Sequence, residues 1–320
     1  MIVQSVHELI GQTPLIRINS ISGKNNGVNV YGKLEAFNPG FSVKDRSAYQ
    51  LLKQARIEGK LKEGYSVVES TSGNMGHALA MLCAELNYHF ICILDPKTPQ
   101  SNIALIRAFG GEVVIVDTPD KTGGFQKKRI EVARSIAKER LNCINLDQYN
   151  NPSAIVAHKE TTAPEIQKQL NNSVDVIFGA VSTGSHLSGI AQYFKTQSDT
   201  TTIIGVEPQG SVIFGGHFKA FLQNGTGLSF VPGNFQGKYI DRLIKVADLD
   251  AFDYCRKLAQ QDGLLLGGSS GSLAFAAHQY AQNCTSPCNI VIICADSGLK
   301  YLDTVYNDEW IEQQQLQRVS

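Results

Sequence analysis

The feature that most constrains this chain is the regular exchange of short apolar runs and amphipathic stretches between residues 67 and 146. Val67–Ser70, Phe90–Asp95, Glu112–Asp117 and Cys143–Leu146 have the length and composition of strands. Met75–Leu86, Asn102–Phe109 and Gly124–Leu141 carry apolar residues at helical spacing. The order β-α-β-α-β-α-β implies parallel strands, because a crossover long enough to hold a helix returns the chain to the same end of the sheet. A second series follows: strand Val174–Val181, helix Gly189–Lys195, strand Ile203–Glu207, helices Asp250–Gln261 and Ser272–Gln282, and strand Ile290–Cys294. The expected fold class is therefore α/β with two parallel-sheet lobes. Turn-forming residues over Gln148–Ser153 mark a boundary, and the strand candidates Leu15–Ile18 and Val30–Leu34 are assigned to the second sheet. The chain then divides into 41–150, the smaller lobe, and 1–40 plus 151–320, the larger, with a ligand expected in a cleft between lobes.

Charge narrows the kind of ligand. With 29 basic and 29 acidic side chains, the chain offers no basic field for a phosphate backbone or an anionic membrane, so small molecules are the expected partners and nucleic acid is not. His7 and Glu8 break the N-terminus, and the apolar run Ile290–Ala295 is too short for a bilayer, so neither a signal peptide nor a membrane span is expected. The seven cysteines are odd in number and mostly embedded in apolar patterns, which suits reduced thiols in a cytoplasm. Cys284 and Cys288 are the close pair, and no paired histidines complete a metal site around them, so no metal is expected.

Four loops carry chemistry. Asn38–Arg46, read Asn-Pro-Gly-Phe-Ser-Val-Lys-Asp-Arg, runs into the helical stretch Ser47–Glu58 and puts Lys44 in a first helical turn. The positive end of the helix dipole disfavours an ammonium there, which eases deprotonation and Schiff-base formation with an aldehyde; an ordinary solvated lysine is the alternative. Glu69–Gly76 lies between a strand and a helix, and its hydroxyls and free N–H groups suit a carboxylate or phosphate, although helix capping explains them equally. Ser182–Gly189, again between strand and helix, has two glycines and hydroxyl side chains that let backbone amides close around a phosphate ester. Gly267–Gly271 opens a helix and adds a further hydroxyl. No Gly-x-Gly-x-x-Gly or Gly-Lys-Ser/Thr occurs, so dinucleotide and P-loop readings lack their anchor. An imine-forming lysine, a carboxylate nest, a phosphate cup and an extra hydroxyl are the set that pyridoxal 5'-phosphate needs.

Asn38–Arg46, Thr71–Asn74, Gln148–Pro152, Ser182–Gly189 and Gly267–Gly271 resemble, in order, the motifs of the cysteine synthase and cystathionine β-synthase family. The resemblance extends from Gly11-Gln12-Thr13-Pro14 to Asp296-Ser297-Gly298 with Tyr301-Leu302. It implies the fold-type II pyridoxal-phosphate architecture, similar to the tryptophan synthase β subunit, and a homodimer catalysing β-replacement. Carried over by position, Lys44 is the Schiff-base lysine, Asn74 bonds the cofactor's phenolic oxygen, and Ser182, Thr183, Gly184, Ser185 and His186 hold its phosphate. Ser269 would meet the pyridine nitrogen, and Thr71, Ser72 and Gln148 would grip the amino acid carboxylate. The same correspondence gives the smaller lobe the carboxylate loop and mobility, and the larger lobe the phosphate loop.

Within the family, three stretches look closer to the siderophore branch that joins O-phosphoserine to glutamate than to the sulfide-using enzymes. They are Gly123-Gly124-Phe125 with Arg129, Gly210–Gly215, and Tyr301–Trp310. A dianionic acceptor or a phosphate leaving group needs a fixed cation, and Arg129 is the candidate; a solvated place on the Lys127-Lys128-Arg129 helix face is the alternative. Met75 stands where cysteine synthases carry threonine and His186 where the phosphate loop carries threonine, whereas Phe230-Val231-Pro232 resembles the cysteine synthase pattern. Sulfide is accordingly the rival acceptor. A binding protein without activity would be expected to have lost Lys44 or the phosphate cup.

Overall fold

The structure is a computed structural model that describes residues 2–23, 27–119, 124–197, 200–314 and 316. Gly123, singled out above, lies outside the described residues. The strands are β1 (Leu15–Arg17), β2 (Val28–Leu34), β3 (Ser66–Ser70), β4 (His89–Leu94), β5 (Glu112–Ile115), β6 (Cys143–Asn145), β7 (Val176–Ala180), β8 (Thr202–Pro208), β9 (Arg242–Val246) and β10 (Cys288–Cys294). The helices are α1 (Lys44–Ile57), α2 (Asn74–Glu85), α3 (Gln100–Ala108), α4 (Gln126–Glu139), α5 (Ser153–Ala157), α6 (Ala163–Gln169), α7 (Ser185–Gln197), α8 (Asp248–Asp262), α9 (Gly268–Gln282) and α10 (Asp308–Gln313). A π-helical turn, His158–Thr162, separates α5 from α6. The chain forms two units, Met1–Ile10 with Asn38–Ala154 and Gly11–Phe37 with Ile155–Ser320.

The smaller unit holds a parallel four-stranded sheet in the order β5-β4-β3-β6. Side chains alternate across its two faces, as the pleat requires. Val67, Cys92 and Leu94 pack with Leu51 and Leu52 of α1, Leu79 and Leu82 of α2, and Ile103 and Ile106 of α3. Their neighbours Val68, Ile91 and Ile93 pack with Ala133, Val132 and Ile136 of α4. The expected assignment of residues 1–40 to the other lobe fails for the first ten. Val6 and Ile10 pack on the α1–α2 core, His7 Nδ1 meets Glu85 Oε1 at 2.6 Å, and the His7 ring stacks on Tyr49 at 4.9 Å.

The larger unit holds a six-stranded sheet in the order β1-β2-β10-β7-β8-β9. It has the α/β character expected, with one departure from parallel pairing that makes it mixed. The edge strand β1 runs antiparallel to β2, and the ten-residue link between them is too short for the crossover that a parallel pair needs. The other pairings are parallel. Strand β9 was not expected: at the sheet edge, only Val246 of its five residues is buried, so it has no apolar run to reveal it. Helices α7 and α9 begin at Ser185 and Gly268, earlier than their apolar periodicity suggests, because serine and glycine fill their first turns. At Gly271 an added Cβ would lie 2.0 Å from the Ala251 carbonyl oxygen of α8, so close helix packing requires glycine there. Among the described residues no helix is long and apolar enough to cross a membrane, and no group of three or more His, Cys, Asp or Glu could hold a metal ion.

Gly271→Ala forces α9 away from α8 and is expected to destabilise the larger unit by about 1–3 kcal/mol. Denaturant unfolding of the variant beside the parent checks this; an unchanged midpoint would contradict the packing described.

Candidate active site

In a parallel sheet every strand delivers its carboxyl end to the same edge, and in the smaller unit that edge collects the Thr71–Asn74 loop and Gln148. Lys44 is half-buried and is the first residue of α1. The turn before it is braced from within: Asn38 Nδ2 donates to the Ser42 carbonyl at 3.1 Å, and Gly40 N–H donates to the buried Asp45 carboxylate. A Cβ on Gly40 would lie 2.6 Å from Asp45 Oδ1, which explains glycine at that position. Lys44 N–H donates to Ser42 Oγ at 3.3 Å, so the lysine's backbone is fixed at the helix start.

Thr71, Ser72 and Asn74 follow β3, with Asn74 leading α2. Thr71 Oγ1 accepts the Gly76 N–H at 3.2 Å, the Thr71 carbonyl accepts the Cys92 thiol at 3.2 Å, and Asn102 Nδ2 donates to the Ser72 carbonyl at 2.8 Å. A hydroxyl that accepts from its own loop has its proton to donate to a ligand. Gln148, beyond β6, joins this loop by donating from Nε2 to the Ser70 carbonyl at 2.9 Å. Thr71, Ser72 and Gln148 therefore form one cradle, and Met75 turns its side chain into the core instead.

Arg129 does not occupy a solvated helix face. It is only 7% exposed, with Nη1 3.3 Å from Asp95 Oδ2, and its Nε has no hydrogen-bond partner among the described residues. Tyr149 is a neighbour that sequence reasoning missed. Burial raises its phenol pKa, the Arg129 charge opposes that rise, and Gln126 Nε2 donates to its hydroxyl at 3.3 Å. Glu69 was also missed as a site residue. Its signal was a carboxylate set directly after Val67-Val68 in a strand that the sheet buries.

In the larger unit, Ser182–Gly184 lie in the link from β7 to α7, and Ser185 and His186 open the helix. Ser182 is half-buried, and Thr183, Ser185 and His186 are buried. Asn234 Nδ2 donates to Ser185 Oγ at 3.3 Å, and Ser188 Oγ donates to the Asn234 carbonyl at 2.8 Å. The His186 ring stands edge-on to His158 with centroids 6.0 Å apart. Ser269 is buried in the first turn of α9.

The family model described as "Pyridoxal-phosphate dependent enzyme" matches residues 6–296. The chain belongs to the pyridoxal-phosphate dependent enzymes. It is 35% identical over 314 residues to the N-(2-amino-2-carboxyethyl)-L-glutamate synthase of Cupriavidus metallidurans, covering 97% of this chain and 92% of that protein. It is 36% identical over 307 residues to a probable cysteine synthase of Bacillus subtilis, covering 95% and 97%. The crystal structure of O-ureido-L-serine synthase matches with a TM-score of 0.89 at 29% identity, covering 98% of this chain and all of that one, 100%. The protein is thus a fold-type II enzyme of the cysteine synthase and cystathionine β-synthase family, with pyridoxal 5'-phosphate as cofactor.

The chain's own residues fit that cofactor. Gly184 has φ +86° and a Cβ there would lie 2.6 Å from Phe235 N, so the loop stays bare and its backbone can approach a phosphate closely. The buried hydroxyls of Thr183 and Ser185 supply donors beside it.

Burial raises the Glu69 carboxyl from 4.5 to about 8, against N–H bonds from Ser70, Gln148 and Asp147 that favour its ionised form. Across that window the folded chain keeps a proton that the unfolded chain has released. The contribution to stability is therefore full below the lower value and falls as pH rises toward the upper one. In Glu69→Gln this part of the slope, on the order of a few kcal/mol, is expected to disappear. Denaturant midpoints of both proteins across the window measure it, and parallel slopes would contradict the assignment.

Proposed function

We propose that this enzyme replaces the β-substituent of O-phospho-L-serine with the amine of L-glutamate. The product is N-(2-amino-2-carboxyethyl)-L-glutamate, a precursor of 2,3-diaminopropionate in siderophore biosynthesis. The observation that carries this reading is the buried guanidinium of Arg129, fixed by Asp95 and near enough to act electrostatically on Cys92, whose thiol donates to the Thr71 carbonyl, and on Tyr149, the residue after Gln148. Sulfide has no carboxylates to be gripped by such a group, whereas glutamate has two and the phosphorylated donor a phosphate. Likeness over almost the full chain to a protein named for this reaction supports the same reading.

Bound pyridoxal phosphate supplies the electron sink that acidifies the donor's α-carbon and lets its β-substituent leave. Lys44 would hold the cofactor covalently, and its amine would serve as the base at the donor's α-carbon. Thr71, Ser72 and Gln148 bind the donor's carboxylate and orient the Cα–H bond. Ser182, Thr183, Gly184, Ser185 and His186 hold the cofactor's phosphate, and Asn74 its phenolic oxygen. Ser269 would offer a neutral hydroxyl to the pyridine nitrogen, and so weak an acid would favour elimination over transamination. Arg129 draws the glutamate carboxylates or the leaving phosphate into place. The enzyme works as a cytoplasmic homodimer on small-molecule substrates.

The second reading is a cysteine synthase that uses sulfide. It is favoured by Phe230-Val231-Pro232 and by likeness to the probable cysteine synthase. Incubation of the holoenzyme with O-phospho-L-serine and either glutamate or sulfide, with products identified by mass, separates the two. The glutamate adduct should form faster; faster formation of cysteine overturns the proposal. Arg129→Lys keeps the charge but loses the planar fork, and should raise KM for glutamate or the phosphorylated donor about 10-fold or more, as loss of a charge-assisted bond of ~1.5–3 kcal/mol implies.

A further inference from the structure

The cradle of Thr71, Ser72 and Gln148 is assembled from two separate stretches of chain, the loop after β3 and the turn after β6. Nothing in the covalent connectivity holds them in register, because the segments between contain β4, β5, α3 and α4. The hydrogen bonds that join them are reciprocal. Gln148 Nε2 donates to the Ser70 carbonyl at 2.9 Å, and in return the Gln148 N–H donates to Glu69 Oε2 at 3.3 Å. The other carboxylate oxygen, Oε1, accepts the Ser70 N–H at 3.0 Å, and the Asp147 N–H also donates to this carboxyl. Glu69 is 2% exposed, too deep to touch a substrate in the cradle directly. Beyond the pairing of β3 with β6 and the Gln148–Ser70 bond, the Glu69 carboxyl accepts from both stretches at once, where they leave the sheet to form the cradle.

We propose that Glu69 is a positioning residue of the donor-carboxylate subsite, fastening the Thr71–Ser72 loop to Gln148 so that the donor's carboxylate meets one preformed cradle. This inference rests on the donor-binding role proposed above for Thr71, Ser72 and Gln148. A glutamine at position 69 keeps the volume but turns an N–H group toward one of the backbone donors, so one half of the fastening is lost without opening a cavity. A preformed cradle that loosens weakens binding of the ligand it was shaped for while leaving remote sites unaffected. The charged and titratable groups around Glu69 are Asp147 on the β6 turn, Cys92 on β4, Tyr149 and, through the last two, Arg129 on α4.

The test compares the holoenzyme with Glu69→Gln, following the visible band of the cofactor as O-phospho-L-serine is added. The expected result is a dissociation constant and KM for the donor raised about 10-fold, the effect of losing about 1.4 kcal/mol of orientation. Cofactor content should stay within about twofold, since the residues proposed to hold the cofactor lie outside the cradle, and kcat at saturating donor should fall by less than KM rises, because bound donor still fills the cradle. Donor affinity equal to the parent's overturns the proposal, as does a parallel loss of donor affinity, cofactor content and kcat, which a merely structural role produces. A parent holoenzyme that fails to respond to O-phospho-L-serine or O-acetyl-L-serine would sink the donor reading itself, whereas a responsive parent matched by the variant sinks only this inference. The unmutated protein offers a check that does not depend on the variant's folding. The backbone amide resonances of Ser70 and Gln148 should titrate together near pH 8, the range to which burial raises their shared acceptor. Amides that titrate separately or not at all overturn the proposal.

Discussion

The structure depends on the direction of its parallel strands. Each strand of the smaller sheet ends on one edge, and the next helix begins there with the positive end of its dipole. That edge receives the Thr71–Asn74 loop after β3, Asp95 after β4 and Gln148 after β6. The larger sheet repeats the arrangement: the Ser182–Gly184 loop follows β7, and Ser297, just beyond β10, bridges to Leu266, next to the start of α9. Anionic groups, whether a phosphate ester or an amino acid carboxylate, are natural ligands for such edges.

Close approach is the second constraint, and it falls on glycine. Gly184 must carry a positive φ and leave room for Phe235, and Gly189 stands where a Cβ would lie 2.3 Å from the Ile155 carbonyl oxygen. These glycines let α7 start immediately after the loop and pack closely. They also hide the helix start from periodicity, because Ser185 to Gly189 offers only Leu187 as a large apolar residue. The serine and glycine content that made the loops conspicuous as binding elements is what blurred the helix boundaries beside them.

Much of the architecture was legible in the chain because buried parallel strands such as Val67-Val68 and Ile290–Cys294 must be apolar on both faces. Edge strands carry no such requirement, so β9 and the antiparallel placement of β1 were not legible. The loops that carry Thr71–Asn74 and Ser182–Gly184 could be placed between strand and helix because their motifs are local. Tyr149 could not be singled out, since its significance comes from Arg129 and Gln126, distant in sequence, and for Glu69 the buried strand gave a signal but the tie to Gln148 did not show. The solvated alternative for Arg129 was equally a question of burial, and periodicity around Lys127-Lys128-Arg129 does not answer it.

The central claim is that Lys44 is the residue joined to pyridoxal phosphate, and reduction of the holoenzyme with borohydride followed by peptide mass mapping tests it most directly. The account predicts one modified peptide, carrying the reduced cofactor on Lys44. A modification fixed on another lysine, or a holoenzyme from which the cofactor is released intact after reduction, would contradict it.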